Sequence, residues 1–195
     1  MYKLNENIIT LYSKWKEGYT RKENSFELKV KDFLSNRRID AHIFYISEDG
    51  NHLNAYNDVY IYDNEIHDGK LPVPFGKADG DFNCKYIDSL TSLEGAPEKV
   101  KGKFDCSCCD SLLSLKGAPK EVEGNFSVWN CTSLTSLEGA PEKVKGDFVC
   151  YVCPSLTSLK GLPKEIGGSL YIDVRFKKKI PKNSIISGNI RVWEK

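Results

Sequence analysis

The sequence has no apolar run near the roughly 18 residues that cross a bilayer, and it has no excess charge of either sign. Its 28 Lys and Arg residues stand against 27 Asp and Glu residues, which leaves a formal net charge of +1. Global charge therefore points neither to nucleic acid nor to an anionic membrane. The opening residues also lack the basic start and apolar core of a signal peptide. We expect a cytoplasmic protein with no membrane association.

Catalytic groups are sparse as well. The three histidines, His42, His52 and His67, precede the regular part of the chain and have no evident nucleophile to activate. No glycine-rich loop stands between a predicted strand and a helix, so a phosphate cradle is not predicted. We expect neither an enzyme nor a cofactor, and we predict no catalytic residues.

The sequence does contain a repeat with a period of about 22 residues, which is the signature of a stacked architecture. One apolar column consists of Phe82, Phe104, Phe126, Phe148 and Leu170. Further columns keep the same step: Leu90, Leu112, Leu134 and Leu156; Gly95, Gly117, Gly139 and Gly161; Pro97, Pro119, Pro141 and Pro163; Val100, Val122, Val144 and Ile166. A coil of this size cannot bury its own apolar face, so successive coils are expected to stack and to form a parallel sheet.

Degenerate copies extend the repeat at both ends. Residues 59–66 precede Phe82 by slightly more than the regular step, and residues 190–192 follow Leu170 by slightly less. We therefore predict seven strands, starting near residues 59, 82, 104, 126, 148, 170 and 190. The short return from the last Leu of a coil to the next strand includes a Pro. Because Pro disrupts a helix interior, the returns are predicted to be non-helical.

The coil pattern resembles the leucine-rich repeat, with Asn64, Cys109, Cys131 and Cys153 at its Asn/Cys position and Ile87 and Arg175 as departures. The phrase Leu-Thr-Ser-Leu-Glu-Gly-Ala-Pro resembles repeats encoded by tailed bacteriophages and some bacteria. The resemblance covers about residues 59–193. It implies an α/β-type solenoid that is predominantly β, with short non-helical returns.

Residues 1–58 do not repeat. Two apolar stripes at helical spacing predict helices, and residues 41–46 and 48–51 predict a strand and a turn. The stripes are Ile8, Leu11, Tyr12 and Trp15, and then Phe26, Val30, Phe33 and Leu34 after Ser25 as N-cap. We predict a small α+β amino-terminal cap over 1–58 and a solenoid of about seven coils over 59–195. A separate functional domain is the alternative for the first segment.

The seven cysteines raise the question of metal binding. Cys106 with Cys109 and Cys150 with Cys153 form two Cys-x-x-Cys pairs, the spacing typical of zinc ligands. The repeat accounts for them otherwise, because these positions are core columns and buried reduced Cys behaves as a small hydrophobe. We predict a ladder of reduced thiols without metal, with structural zinc as the alternative. Cys108 lies off this ladder.

Outward positions on the predicted strands are rich in aromatic residues, which often dominate interfaces. Adjacent Trp129 and Tyr151, with Tyr171 one coil on, are expected to form a cluster. The alternative is that the rings only stabilise the sheet, since aromatic residues favour strands. The predicted partner-binding residues are Tyr60, Tyr62, Lys85, Asp105, Trp129, Tyr151, Tyr171, Asp173, Arg191 and Trp193.

The carboxy-terminal segment is basic. Residues 168–195 hold seven basic and two acidic side chains, a balance of +5. This charge would suit nucleic acid or an acidic protein, or it would serve as a solvated edge that discourages strand pairing. We favour the edge interpretation, and self-association through the last strand is a further alternative. The predicted basic patch is Arg175, Lys177, Lys178, Lys179 and Lys182.

The expected function is protein–protein interaction through the exposed strand face. The resemblance to phage repeats implies a bacterial host factor as partner, with the protein acting as an inhibitor of a host defence protein in the host cytoplasm. Binding of nucleic acid or nucleoprotein through the basic end is one alternative, and a structural protein is another.

Overall fold

The computed structural model describes residues 25–35 and 43–194. In these ranges it contains one α-helix, α1 (Ser25–Ser35), and two 3₁₀ turns, Asp63–Glu65 and Val174–Phe176. No helix within the described ranges is long and apolar enough to cross a membrane. The strands are β1 (Phe44–Ile46), β2 (Leu53–Ala55), β3 (Val59–Tyr60), β4 (Phe75–Ala78), β5 (Phe82–Asn83), β6 (Lys99–Val100), β7 (Phe104–Asp105), β8 (Glu121–Val122), β9 (Phe126–Ser127), β10 (Lys143–Val144), β11 (Phe148–Cys150), β12 (Glu165–Ile166), β13 (Leu170–Asp173), β14 (Ile185–Ile186) and β15 (Ile190–Trp193).

The seven strands predicted from the repeat form one parallel sheet, in the order β15-β13-β11-β9-β7-β5-β3. We call its outward side the strand face. Equivalent positions pair in register, for example Phe104 with Phe126 and Phe126 with Phe148. Six full turns connect the seven strands. The prediction of a predominantly β solenoid is confirmed, with the strands beginning at the expected residues.

The returns also build a sheet, which the sequence patterns did not predict. It has eight strands in the order β1-β2-β4-β6-β8-β10-β12-β14, and all but the β1–β2 pair are parallel. We call its outward side the return face. Most of its strands contain two residues, of which the second, such as Val122 or Val144, is buried. The prediction of non-helical returns is confirmed, because each return is extended and pairs with its neighbours.

The core lies between the two sheets. The rings of Phe82, Phe104, Phe126 and Phe148 stack with centroids 5.5, 5.3 and 5.3 Å apart and planes within 6° of parallel. The Leu columns beside them are almost completely inaccessible to solvent. Removal of apolar surface from water, to which these rings and Leu side chains contribute, is the main favourable term in the free energy of folding.

The described part of the amino-terminal segment packs on the first coil. Helix α1 buries Val30, Phe33 and Leu34, as its apolar stripe predicts, and Ser25 is its first residue. The Phe33 ring meets the ring of Phe75 edge-on at 5.6 Å. Strands β1 and β2 form an antiparallel hairpin around a turn at 48–51, and β2 pairs in parallel with β4. The predicted helix around residues 8–15 lies outside the described residues.

The structure corrects one position of the repeat pattern. Asn64, which the spacing places at the inward Asn/Cys position, is exposed, while Glu65 is only 8% exposed. The first copy is one residue longer than the regular copies, and its 3₁₀ turn shifts the inward position by one. The carboxylate of Glu65 accepts a hydrogen bond from the backbone N–H of Tyr62 at 2.9 Å, which offsets the cost of removing this group from water.

The central ring of the stack provides a test of the core. Phe126→Ala removes a buried ring that contacts Phe104 and Phe148 on its two faces. We expect the free energy of unfolding, measured by chemical denaturation, to fall by about 3 to 5 kcal/mol. Leu113→Ala is the control, because Leu113 is exposed and its loss is expected to change the same quantity by no more than about 0.5 kcal/mol. Equal effects of the two substitutions would contradict the proposed core.

Candidate functional site

Each central coil leaves the strand sheet through a residue in the left-handed conformation. Tyr86, Cys108, Asn130 and Val152 have φ of 59°, 55°, 54° and 58°. They recur at the period of the repeat, so every central coil turns the same corner. The backbone N–H of Asn130 donates to the carbonyl of Tyr151 in the next coil at 3.0 Å, which continues the ladder into the corner. Only Asn130 is a residue type that favours this conformation, so the sequence pattern contains little sign of it.

Three rings on the strand face stack on one another. The centroids of Trp129 and Tyr151 lie 6.1 Å apart, and those of Tyr151 and Trp193 lie 5.3 Å apart. We call these three residues the ring cluster. Trp193 takes the place in the cluster that was expected for Tyr171. Tyr171 belongs to the neighbouring outward column, where it pairs with Val149 and Arg191. Trp193 remains 50% exposed, so the cluster is an outward feature.

Asp173 explains how Trp193 reaches Tyr151 from two coils away. Asp173 lies in the same outward column as Tyr151 and Trp193, in the coil between them, but its short side chain turns to the corner of the preceding coil. There Oδ1 accepts the backbone N–H of Val152 at 2.9 Å, in the place that a carbonyl takes in the other coils. Its carboxylate also lies 3.4 Å from the guanidinium of Arg175. Asp173 is therefore engaged within the chain, although it was predicted to face a partner.

The other predicted contact residues lie apart from the ring cluster. Tyr60 and Tyr62 are exposed at the first coil. Lys85 is exposed beside the ring of Tyr86. Asp105 is half-buried and accepts the N–H of Ser107 at 3.1 Å. The structure thus brings together Trp129, Tyr151 and Trp193, with Tyr171 and Arg191 adjacent in register.

The basic patch begins beside the ring cluster. Arg175 donates through Nη2 to the carbonyl of Cys153 at 2.6 Å and through Nη1 to that of Pro154 at 3.2 Å. Its guanidinium carbon lies 4.6 Å from the centroid of the Phe176 ring, and the ammonium of Lys179 lies 5.7 Å from the same centroid. Lys177, Lys178 and Lys182 are exposed nearby in the sequence. Arg175 is therefore held in place, and the other cations are free to meet solvent.

A groove of about 420 Å³ lies between the ring cluster and the basic patch. It follows the left-handed corners of the fourth and fifth coils and ends at the last strand. Its walls combine apolar surface with a few polar groups, a composition typical of ligand sites. They include Asn130, Val152, Asp173, Val174, Arg175 and Trp193. No single sequence motif marks this groove, because its walls come from three coils and the last strand.

The cysteines form the predicted ladder, and all seven are free thiols. The thiol of Cys109 donates to the carbonyl of Cys84, and that of Cys131 to the carbonyl of Cys106, both at 3.2 Å. Cys153 makes the equivalent bond to the carbonyl of Val128.

Burial raises the pKa of Cys153 to about 11 and also raises the pKa values of Cys106, Cys109, Cys131 and Cys150. Over the described ranges, no group of three or more His, Cys, Asp or Glu side chains could hold a metal.

Over the regular coils the return face carries paired charges, and its stacked rings, Tyr45 and Tyr56, lie only at the amino-terminal end of the return sheet. The ammonium of Lys99 lies 3.2 Å from Glu121 and 3.0 Å from Glu123, and Lys145 lies 3.0 Å from Glu123. On the neighbouring turn, the hydrogen bonds that Lys116 and Lys70 donate to Glu94 lower the pKa of its carboxyl to about 2. Because these charges satisfy one another across coils, the strand face is the better candidate for binding.

Thiol reactivity provides a test of the ladder. Only Cys108 is partly exposed among the seven. We expect a thiol reagent such as DTNB to modify one cysteine rapidly in the folded protein and the other six only on unfolding, since buried thiols stay protonated and inaccessible. Cys108→Ala should remove the rapid phase, whereas Cys131→Ala should leave it. Rapid modification of a second thiol before unfolding would contradict the buried ladder.

The corner at Val152 provides a second test. A β-branched residue is strained at positive φ, whereas Asn tolerates it, and the equivalent Asn130 has nearly the same φ. We expect Val152→Asn to raise the free energy of unfolding by about 1 kcal/mol. The reciprocal Asn130→Val should lower it by a similar amount. A loss of stability in the first variant, measured by thermal or chemical denaturation, would show that side-chain packing outweighs backbone strain there.

Comparison with known proteins identifies no relative. No protein-family model, no curated protein and no solved structure matches this chain.

Proposed function

We propose that this chain is a non-enzymatic protein-interaction module that docks a partner on its strand face, around the ring cluster of Trp129, Tyr151 and Trp193. The observation that carries this proposal is the outward stack of two half-buried rings, Trp129 and Tyr151, on the exposed ring of Trp193, which lines a groove. Trp and Tyr are among the residues that contribute most to binding energy in protein interfaces. Their apolar rings gain from desolvation, and their polar atoms still find hydrogen-bond partners at a wet interface.

The alternative role of the rings, stabilisation of the sheet alone, explains the cluster less well. A ring that serves only the fold is expected to lose most of its solvent contact. Trp193 keeps half of its surface exposed although it contacts Tyr151. Its position near the groove places this remaining apolar surface where a partner would cover it. We therefore favour recognition over stabilisation.

We further propose that the solenoid is a leucine-rich repeat with compact returns. The coil length, the inward Leu columns and the thiol-to-carbonyl bonds at the Asn/Cys position support this family. We also propose that residues 1–58 cap the array. In support, Phe33 packs on Phe75, and β2 extends the return sheet beyond the first coil.

The biological setting is proposed from the resemblance to phage repeats alone. That resemblance favours a bacterial host protein as partner, with this chain blocking a defence factor in the host cytoplasm. Docking on a broad strand face suits such inhibition, because it requires no chemistry from the inhibitor.

Two alternatives have some support. Nucleic-acid binding is favoured by the proximity of Trp193 and Arg175 in one groove, since stacking rings and cations together bind single strands. Self-association, or a structural role, is favoured by the exposure of Ile185 and Ile190 on the last pair of strands. We rank both below protein docking, because neither accounts for the ring cluster as a whole.

Substitution in the ring cluster tests the proposed docking face. We expect Trp129→Ala combined with Tyr151→Ala to abolish capture of the partner from nuclease-treated bacterial lysate. Loss of two interface rings costs at least about 2 kcal/mol each, or roughly a thousandfold in affinity together. Capture is read by mass spectrometry against the unaltered chain as bait.

The matched control lies on the return face, where Lys120→Ala combined with Lys164→Ala removes two exposed cations that pair with Glu98 and Glu142. This control is expected to capture the partner normally, and both variants should unfold cooperatively. Capture retained by the folded ring-cluster variant would overturn the assignment of the strand face. Capture that disappears with nuclease treatment would favour nucleic acid.

A further inference from the structure

The groove beside Trp193 has the size and lining of a site for one side chain. Its apolar walls come from Val152 and Pro154 at one corner, Val174 in the second 3₁₀ turn, and the indole of Trp193. Its volume of about 420 Å³ exceeds the space that a single aromatic side chain needs. Apolar walls of this kind gain from covering an aromatic ring, which buries more apolar area than other side chains do.

The charge that the groove presents is positive. The Asp173 side chain is 16% exposed and is engaged by Val152 and Arg175, whereas the Arg175 side chain is 43% exposed. Two backbone carbonyls hold the guanidinium in one orientation. A guanidinium held in this way loses little freedom when one of its remaining N–H groups donates to a carboxylate.

The surroundings of the groove extend this positive charge. Lys179 and Arg175 approach the same Phe176 ring, at 5.7 and 4.6 Å from its centroid. Lys177, Lys178 and Lys182 are exposed next to this turn in the sequence, and Arg191 is exposed on the last strand. Acidic residues on either side of an aromatic anchor would therefore meet cations.

The arrangement of the rings disfavours a nucleic-acid strand. Trp129 stacks on Tyr151 from one side, and Trp193 stacks on it from the other, with interplanar angles of 20° and 28°. Both faces of Tyr151 are thus covered, and the cluster offers no series of free ring faces on which successive bases could stack. A side chain inserted beside the cluster needs no such series.

We propose, on the basis of the docking function proposed above, that this groove receives one aromatic side chain from an acidic peptide segment of the protein partner. The ring lies between Trp193, Val152 and Val174. The flanking carboxylates bind Arg175 and the neighbouring lysines.

A defined peptide tests this assignment on the full chain. The probe is a synthetic heptapeptide with one phenylalanine between two runs of three glutamates, capped at both ends. Binding is followed by ¹⁵N NMR through the indole N–H signal of Trp193, which is assigned by Trp193→Phe. We expect a saturable shift of this signal, and affinity that falls as salt rises to about 0.5 M because the contacts are ionic.

Peptide variants separate the two parts of the site. Replacing phenylalanine by alanine, or all glutamates by glutamine, should weaken binding about tenfold or more, since one removes the anchor and the other the charge pairs. Absence of a shift with the original peptide at about 1 mM would overturn the proposal. Equal binding of the alanine peptide would also overturn it. Tighter binding of an oligothymidylate of equal charge would assign the groove to nucleic acid instead.

A protein variant that fills the groove provides the matched comparison. Val174→Trp should abolish peptide binding by occupying the space of the anchor, whereas Leu113→Trp adds the same ring at an exposed site elsewhere and should leave binding unchanged. Unchanged binding by the folded Val174→Trp variant would overturn the groove as the site.

If the peptide fails to bind while the Trp129 and Tyr151 substitutions still abolish capture of the partner, only the proposed occupant of the groove is wrong. If those substitutions leave capture intact, the docking face itself is wrong.

Discussion

Hydrogen bonding between equivalent positions of successive coils is the constraint on which the rest of this structure depends. The N–H of Cys106 donates to Ser127, and the N–H of Val128 donates to Val149, at 3.0 and 2.9 Å. A second set of bonds joins the short strands of the return sheet. Because the regular coils pair in parallel and in register in both sheets, each side chain of these coils lies directly above its counterpart one coil away. Each column must therefore consist of residues that tolerate stacking on one another.

The columns meet this requirement in different ways. Phenylalanine rings stack face to face, and the thiols of Cys109, Cys131 and Cys153 each donate to a carbonyl of the preceding coil. Charges cannot stack on themselves, and here the sequence alternates: Glu98, Lys120, Glu142 and Lys164 follow one another in a single column. Lys120 lies 3.1 Å from Glu98, and Lys164 lies 3.2 Å from Glu142. Opposite charges on successive coils therefore contact each other in this column, where like charges would repel.

The candidate site appears where the columns depart from repetition. In β13, the outward column that holds the rings contains Asp173 instead of an aromatic residue. Its carboxylate accepts the backbone N–H of Val152, which leaves room for Trp193 to reach Tyr151. In the same coil Arg175 replaces the inward cysteine and binds two carbonyls of the preceding coil from outside. Asp173 and Arg175, the two departures from the repeat, both line the groove, and the more exposed Arg175 gives it a positive charge. The regular coils provide the frame and two of the three rings, and the irregular last coils contribute Trp193, Asp173 and Arg175 to the candidate site.

The sequence by itself determined the period, the seven strands, the inward columns, the non-helical returns and the helix over 25–35, because each of these follows from residue spacing along the chain. Only the tertiary structure decided that the returns form a second sheet, that Glu65 replaces Asn64 inside, and that Trp193 rather than Tyr171 completes the ring cluster. Spacing specifies which residues share a column. A contact that spans two coils depends also on the size and hydrogen bonds of the residue between them, which here is Asp173.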